Sequence, residues 1–123
     1  MSSYNSLSEL LAWRKAREVR VCISEIAKQF PKYEQYKLVD QIIRSSRSIA
    51  ANIAEGFGRY YFKENIQFCR QARGSLIETQ EHLMCAFDEG YINAELFKEG
   101  MQSTKECLKV LNGYISYLKN CSK

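Results

Sequence analysis

The strongest constraint on the fold is a 4-3-4-3 spacing of core-type residues near the end of the chain. The residues at this spacing are Phe97, Met101, Thr104, Leu108, Leu111, Ile115 and Leu118. Because an α-helix has about 3.6 residues per turn, they share one side of a helix. Asn93 is the predicted N-cap, and Ile92 and Phe97 occupy the positions of a hydrophobic staple. This spacing is typical of a helix in an antiparallel bundle.

The first of the three earlier helical segments has both a start signal and a stop signal. Ser6 and Glu9 form a predicted capping box that opens the first helix, and Pro31, the only proline, ends it. Its apolar stripe consists of Ala12, Ala16, Val19, Ile23, Ile26 and Phe30. The second helix begins near Lys37, and its stripe consists of Leu38, Ile42, Ser45, Ile49 and Asn52 or Ile53.

The third helix is predicted from about Phe62 to a stop at Gly90. Its stripe consists of Ile66, Cys69, Leu76, Leu83 and Phe87. No strand-like alternation persists anywhere, and the connections near residues 31–36, 56–61 and 88–92 are short, so consecutive helices should be antiparallel. We predict an all-α fold, an up-down-up-down four-helix bundle that fills residues 1–123 as one domain.

Composition and the lengths of the apolar runs indicate what class of protein this is and where it is located. Hydrophobic residues make up 46% of the chain and charged residues 26%, a globular profile. No apolar run approaches the roughly 20 residues of a membrane span, so we expect no membrane contact and a cytoplasmic protein.

Some apolar residues lie off the stripes and suggest a second buried surface, meaning self-association. They are Leu10, Val21, Val39, Ile43, Ile77, Met84, Val110, Tyr114 and Tyr117.

The stretch SIAANIAEGFGR, residues 48–59, combines small residues with two glycines. Gly56 and Gly58 resemble the start of a dinucleotide-binding fingerprint, but Tyr61 stands where the third glycine belongs, and a helix precedes the motif instead of a strand. The pattern instead predicts helix termination, since glycine accepts the left-handed conformation at a helix end.

The small residues of this stretch predict close helix packing. Ala50, Ala51 and Ala54 keep the second helix thin, so that a neighbouring backbone can approach. Asn52 and Glu55 are predicted to bond to a neighbouring helix end or loop and to fix the register of the helices. Contact of these two residues with a ligand is the alternative interpretation.

The sequence offers no convincing catalytic, metal or cofactor site. Glu78, His82 and Cys85 share one helix face, but their side chains project nearly in parallel and no oxyanion donors accompany them. A di-iron site in a helical bundle needs more than the one histidine of this chain. The five cysteines are scattered and match no zinc-binding pattern. We predict that they are reduced thiols with a structural role. We predict a protein that is not an enzyme, without a metal or cofactor.

Basic residues concentrate in the first part of the chain, whose residues 1–75 contain thirteen Lys and Arg against seven acidic residues. The predicted nucleic-acid-binding residues are Arg44, Arg47, Arg59, Lys63, Arg70 and Arg73. Arginines of the first helix, Arg14, Arg17 and Arg20, add to this set. Aromatic residues beside Arg59 could stack on bases, or could cap the core at the end of the bundle.

The run VDQIIRSSRSIAANIAEGFGR, residues 39–59, carries a resemblance to a bacterial protein family. The segments FKE at 62–64, FCR at 68–70 and GSLIE at 74–78 extend it, and matches run from Trp13 to Tyr91. The pattern resembles the four-helix-bundle family encoded in intervening sequences of 23S ribosomal RNA genes. Ala50 is a departure, because the family often has proline there; the second helix should therefore be straighter in this chain.

The resemblance implies a four-helix bundle without catalytic activity, commonly assembled as a ring-shaped pentamer. It also implies kinship with the accessory variability determinant of diversity-generating retroelements, a basic five-subunit barrel that binds a reverse transcriptase and nucleic acid. We therefore predict a homopentamer that binds structured RNA, ribosomal RNA among the candidates, or another nucleic acid through its second and third helices. The alternative is a scaffold or accessory subunit for a protein partner.

Overall fold

A computed structural model describes residues 6–122, and this range contains four α-helices and no strand. The helices are α1 (Leu11–Ala27), α2 (Leu38–Phe57), α3 (Phe62–Asp88) and α4 (Ala94–Cys121). Helix α1 packs on α2 and α4, and α3 packs on the same two helices. The predicted all-α four-helix bundle is confirmed. Within residues 6–122, each helix is too short or too polar to pass through a lipid bilayer.

Contacts between α2 and α3 run in opposite order along the two helices. The hydroxyl of Ser45 lies 2.8 Å from that of Thr79, whereas Gly56, later in α2, lies against Asn65, at the start of α3. A rising position in α2 therefore meets a falling position in α3. The two helices are antiparallel.

Helix α4 is antiparallel to both of its neighbours by the same criterion. Asn65 donates a hydrogen bond to the Tyr114 hydroxyl at 3.0 Å, while Gln80, later in α3, donates to Thr104, earlier in α4. Ile26, late in α1, lies next to Gly100 of α4, whereas Leu11, at the start of α1, shares a hollow with Gly113, later in α4. These contact orders support the up-down-up-down order that the short connections predict.

The predicted stripes form the core, with Phe87 as the clear exception. Phe87 is 40% exposed and stacks on Phe97 with ring centroids 4.6 Å apart. Ala86, fully buried, takes the predicted core position in α3. The buried residues of α3 repeat every seven positions, as Cys69, Leu76 and Leu83 in one series and as Ala72, Thr79 and Ala86 in the other. The step after Leu83 is therefore three residues, to Ala86, and the predicted step of four leaves Phe87 outside the core.

The start of α1 differs from the prediction. Ser6 makes no capping bond to a backbone N–H; its hydroxyl donates to the Glu9 carboxylate at 3.1 Å, and residues 7–9 form a 3-10 turn. Leu10 is extended and 1% exposed, and α1 begins after it, at Leu11. Burial of Leu10 thus outweighs the local capping signal. The helix also ends earlier than predicted, at Ala27, although Phe30 remains buried.

The α1–α2 and α3–α4 connections are joined by hydrogen bonds at one end of the bundle. Tyr91 donates to the Glu34 carboxylate at 2.6 Å, and Tyr33 donates to the Tyr91 hydroxyl at 3.3 Å. The other carboxylate oxygen of Glu34 accepts from the Leu38 N–H at the start of α2. The bond from Tyr91 lowers the pKa of Glu34 and raises that of Tyr91. Gly90, with a φ of 77°, ends α3 as predicted and turns the chain toward Tyr91.

Helix α2 ends within the SIAANIAEGFGR stretch as predicted, but neither glycine ends it through the left-handed conformation. Gly58 caps α2 at a φ of −79°, so no left-handed residue ends this helix. Gly56 is inside α2 and buried, and a Cβ there would lie 2.6 Å from the Asn65 side-chain oxygen and 3.0 Å from the Asn65 carbonyl oxygen. Gly56 therefore allows α2 and α3 to approach closely.

The predicted small and polar packing residues have different environments. Ala51 is exposed and Ala54 half-buried, so Ala51 contributes no close helix contact within the chain, contrary to the prediction. Asn52 donates to the carbonyl and hydroxyl oxygens of Ser48 in its own helix, not to a neighbouring helix end. Glu55 pairs with Arg59 in the α2–α3 connection, a contact with a loop.

Four hydroxyl residues join α2 to α3, and we call them the hydroxyl set: Ser45, Ser48, Ser75 and Thr79. Ser75 donates to Ser48 at 2.9 Å, and Ser45 and Thr79 are 2.8 Å apart. Among residues 6–122, no buried side-chain nitrogen or oxygen atom lacks a hydrogen-bond partner. These satisfied contacts fix the position of α3 along α2.

Candidate nucleic-acid interface

The six predicted basic residues do not form one continuous patch. Arg44 and Arg47 lie on α2, Arg59 lies in the α2–α3 connection, and the other three, Lys63, Arg70 and Arg73, lie on α3. All are exposed except Arg73, which is half-buried. Their neighbours differ, and so does the chemistry available to each of them.

On α2, Arg44 is paired and Arg47 is not. The Arg44 guanidinium lies 3.5 Å from the Asp40 carboxylate, in an exposed pair that binds weakly and leaves the arginine free to exchange partners. Arg47 has no carboxylate within 4 Å among residues 6–122. It lines a hollow shared with Arg20 of α1. Arg47 therefore faces α1 and not, as predicted, a shared surface with α3.

Arg59 is held within the connection between α2 and α3. Its guanidinium lies 2.9 Å from the Glu55 carboxylate and 3.9 Å from that of Glu64. It also lies 4.9 Å from the centre of the Phe68 ring, in cation–π geometry. Two acidic residues and a ring thus already engage this charge. Arg59 orders the connection, and its capacity for an external phosphate is reduced.

Exposed aromatic rings and basic side chains without an acidic partner lie next to each other at the α2–α3 end of the bundle. Tyr60 and Tyr61 are 87% and 64% exposed, with ring centroids 4.9 Å apart and nearly perpendicular planes. Lys63 and Arg70 are exposed without a carboxylate partner among the described residues, and their spacing of seven puts them on one face of α3. Exposed rings beside unpaired cations can stack on bases and neutralise phosphates.

Arg73 is turned toward α4. Its guanidinium donates to the side-chain oxygen of Asn112 at 3.1 Å, so it bridges α3 and α4. The predicted pair of Arg70 and Arg73, one turn apart, is therefore divided between an external surface and a helix contact. The sequence could not reveal this division, because Asn112 is 39 positions away.

The three arginines of α1 lie along two hollows beside that helix. Arg14 and Arg17 share one hollow with acidic residues of α1 and α4, among them Glu18 and Glu99. Arg20 lines the other hollow, opposite Arg47. Arg20 is thus the α1 arginine with a basic neighbour across a groove.

The Glu78, His82 and Cys85 constellation has the geometry of a surface pair beside a thiol. His82 Nε2 lies 3.2 Å from the Glu78 carboxylate. Burial, with help from Glu89 and Glu81, raises the pKa of the Cys85 thiol. A raised pKa keeps the thiol protonated and weakly nucleophilic at neutral pH.

The other core thiols are chemically similar, and no metal cluster accompanies them. Burial raises the pKa of the Cys69 and Cys107 thiols to about 12 in both cases. Within residues 6–122, no group of three or more His, Cys, Asp or Glu side chains could hold a metal ion. All five cysteines are unpaired, and the two fully buried ones pack as small apolar residues.

A family sequence model described as "23S rRNA-intervening sequence protein" matches residues 8–113. The chain belongs to this family. A solved family relative is described as a protein with unknown function from the S23 ribosomal protein family from Bacteroides thetaiotaomicron. It is 25% identical to this chain with a TM-score of 0.79, and the match covers 85% of this chain and 98% of the other. No curated protein matches the chain.

Proposed function

We propose that this protein is a non-enzymatic bundle that binds structured RNA, or another nucleic acid, with modest affinity. The observation that carries the proposal is the adjacency of exposed tyrosine rings with unpaired cations at the α2–α3 end. Tyr60 and Tyr61 project there, and Lys63 and Arg70 continue the surface along α3. The family name connects the chain with ribosomal RNA genes and supports RNA as the ligand.

The physical basis of this binding is release of counterions from the nucleic-acid backbone. Each phosphate that a Lys or Arg neutralises lowers the logarithmic salt slope of the affinity by roughly 0.7 to 0.9. A net charge of +4 per chain gives a weak attraction for a monomer, and an oligomer repeats it in each subunit. The tyrosine rings add stacking that tolerates any base.

Affinity for a short RNA hairpin, measured by fluorescence anisotropy across a range of salt, tests the proposal. We expect binding at about 50 mM salt that weakens steeply toward about 200 mM. The Lys63→Gln/Arg70→Gln variant should lose affinity and slope. Lys98→Gln/Lys105→Gln, which removes the same charge from exposed positions on α4 away from this end, is the matched control. The proposal would be contradicted if the hairpin did not bind at low salt, or if its affinity did not change with the salt concentration.

Self-association is part of the proposed function. Among the predicted off-stripe residues, Leu10 and Tyr114 are buried within the chain, whereas Val21, Ile77 and Met84 are 55%, 49% and 42% exposed. Exposed apolar residues of this size favour an interface between subunits. We propose a homopentamer on this basis and on the family resemblance. Light scattering measures the assembly mass, and a monomer of 14.3 kDa would contradict it.

A protein-interaction scaffold is the second candidate function, and the α3 surface favours it. Ile77 and Met84 are seven residues apart on α3, so they lie on one exposed face that a protein partner could cover. Recovery of a single protein partner after nuclease treatment, lost in the Ile77→Lys/Met84→Lys variant, would support the scaffold over the nucleic-acid binder.

A further inference from the structure

A shallow groove between α1 and α2 brings two arginines together from opposite walls. Arg20 lies on the α1 wall and Arg47 on the α2 wall of one hollow of about 270 Å³. Ser24 of α1 and Ser46 of α2 also line it. The two arginines are 27 positions apart in the sequence, and only the packing of α1 against α2 brings them to the same place.

The two arginines of this groove have no ion-pair partner among the described residues. Neither Arg20 nor Arg47 has a carboxylate within 4 Å among residues 6–122. Glu25 is the acidic residue on the rim, and it is paired with Lys28. The hollow is thus lined by two arginines and by one carboxylate that Lys28 already engages, and this excess of positive charge attracts an external anion.

The donors in the groove suit a phosphate group. A guanidinium presents its N–H groups in a planar fork that matches two oxygens of a phosphate. Arg20 is half-buried, so its stem is already restrained by packing and loses less freedom when its end is engaged. Ser24 has no hydrogen-bond partner among the described residues, so its hydroxyl can donate to a third oxygen.

We propose that Arg20 and Arg47 form a phosphate-binding site in the α1–α2 groove, and that it holds a backbone phosphate of the bound nucleic acid. The inference rests on the proposed function for its physiological ligand. Free inorganic phosphate has the same chemistry and is the other source of the group. The site lies apart from the surface formed by Tyr60, Tyr61, Lys63 and Arg70, and it extends the proposed nucleic-acid contact to α1.

The test uses the full-length protein with Arg20→Gln/Arg47→Gln, and Lys98→Gln/Lys105→Gln as the control of equal charge. With a short RNA hairpin, the arginine variant should bind about tenfold more weakly or worse. Its salt slope should fall by about one unit, because the two arginines together engage one backbone phosphate. In the wild type, the NMR signals of the Arg20 and Arg47 Nε–Hε groups should shift on addition of the hairpin, and to a smaller extent with inorganic phosphate.

Each result distinguishes the site from the proposed function. If the hairpin binds both variants equally, the phosphate site is wrong while RNA binding stands. If the hairpin does not bind but inorganic phosphate shifts both arginine signals, the site is a free-phosphate site and the RNA proposal fails. If neither probe shifts these signals, the site is overturned. The Arg20→Lys/Arg47→Lys variant keeps the charge and the fold, and it should recover part of the affinity without the bidentate contact.

Discussion

The α2–α3 and α1–α4 interfaces are built from different side chains, although all four helices carry apolar stripes of similar spacing. Between α2 and α3, the buried Gly56 allows close contact, and the hydroxyl set supplies hydrogen bonds of 2.8 and 2.9 Å. Between α1 and α4, larger side chains such as Leu11, Val110 and Tyr117 surround a hollow of about 560 Å³. The α2–α3 interface is close and polar, whereas the α1–α4 interface is open and mainly apolar around Leu11 and becomes close only near Gly100, which lies against Ile26.

The comparison shows that the burial of apolar surface and the alignment of neighbouring helices depend on different kinds of contact. Apolar contacts are non-directional, so an interface made from them tolerates small shifts along the helix axis. Hydrogen bonds between hydroxyl groups require particular distances and angles, and they exclude such shifts. The α2–α3 pair therefore defines the geometry of the bundle, while the α1–α4 groove has room for substitution.

The largest expected effect comes from Gly56→Ala. The new Cβ would lie within 3.0 Å of the Asn65 backbone and side-chain oxygens, and the two helices would have to separate. We expect a loss of about 1–3 kcal/mol in the free energy of unfolding, measured by urea denaturation.

Gly58→Ala is the matched control for this substitution. A Cβ at Gly58 would meet its nearest atoms at 3.7 Å, and the φ of −79° suits alanine. We expect no loss and a gain of up to about 1 kcal/mol from a less flexible unfolded chain. Equal stability of the two variants would show that α2 and α3 are not held as closely as described.

Thr79→Val should have an intermediate effect. It removes the hydroxyl that faces Ser45, but Ser45 can still donate to the Ile42 carbonyl oxygen, so no buried donor is left without a partner. We expect a loss of about 1 kcal/mol. In the Ser45→Ala/Thr79→Val double variant the loss should be smaller than the sum of the single losses, and strict additivity would contradict a direct bond. Ser116→Ala, at an exposed position, is the control.

Gly113→Ala probes the open interface and should have the smallest effect, in the opposite direction. Gly113 lines the α1–α4 hollow, and a Cβ there would meet no atom within 4 Å. Alanine favours the helix by up to about 1 kcal/mol over glycine, so the melting temperature should rise slightly. Destabilisation comparable to that of Gly56→Ala would indicate that the groove is closed.

The sequence predicted the apolar stripes well because helical periodicity is a local property. Buried positions such as Ile23, Ile49 and Leu111 follow from spacing alone. The positions of Leu10 and Phe87 were not predicted: the burial of Leu10 outweighed a local capping signal, and the seven-residue repeat of α3 places Ala86 in the core instead of Phe87. Each error occurred where tertiary packing decided between two locally acceptable positions.

The candidate interface was predicted less well, because it depends on neighbours across helices. The six basic residues were correctly identified as mostly exposed, yet Asn112 engages Arg73 and two acidic residues engage Arg59. The function of Gly56 was also missed, since the Asn65 that approaches it looks like an ordinary polar residue of the third helix. No spacing rule within one helix could indicate these lateral contacts.

The Tyr91–Glu34 hydrogen bond makes the two ends of the molecule unequal. It ties together two connections that are 57 residues apart, while the opposite end contains the α2–α3 connection and both the start of α1 and the end of α4. Local thermal unfolding should therefore begin at the end without this hydrogen bond and spread along the helices toward Tyr91. Amide hydrogens near Leu118 would then exchange with solvent earlier than those near Leu83, on a molecule that has not yet unfolded.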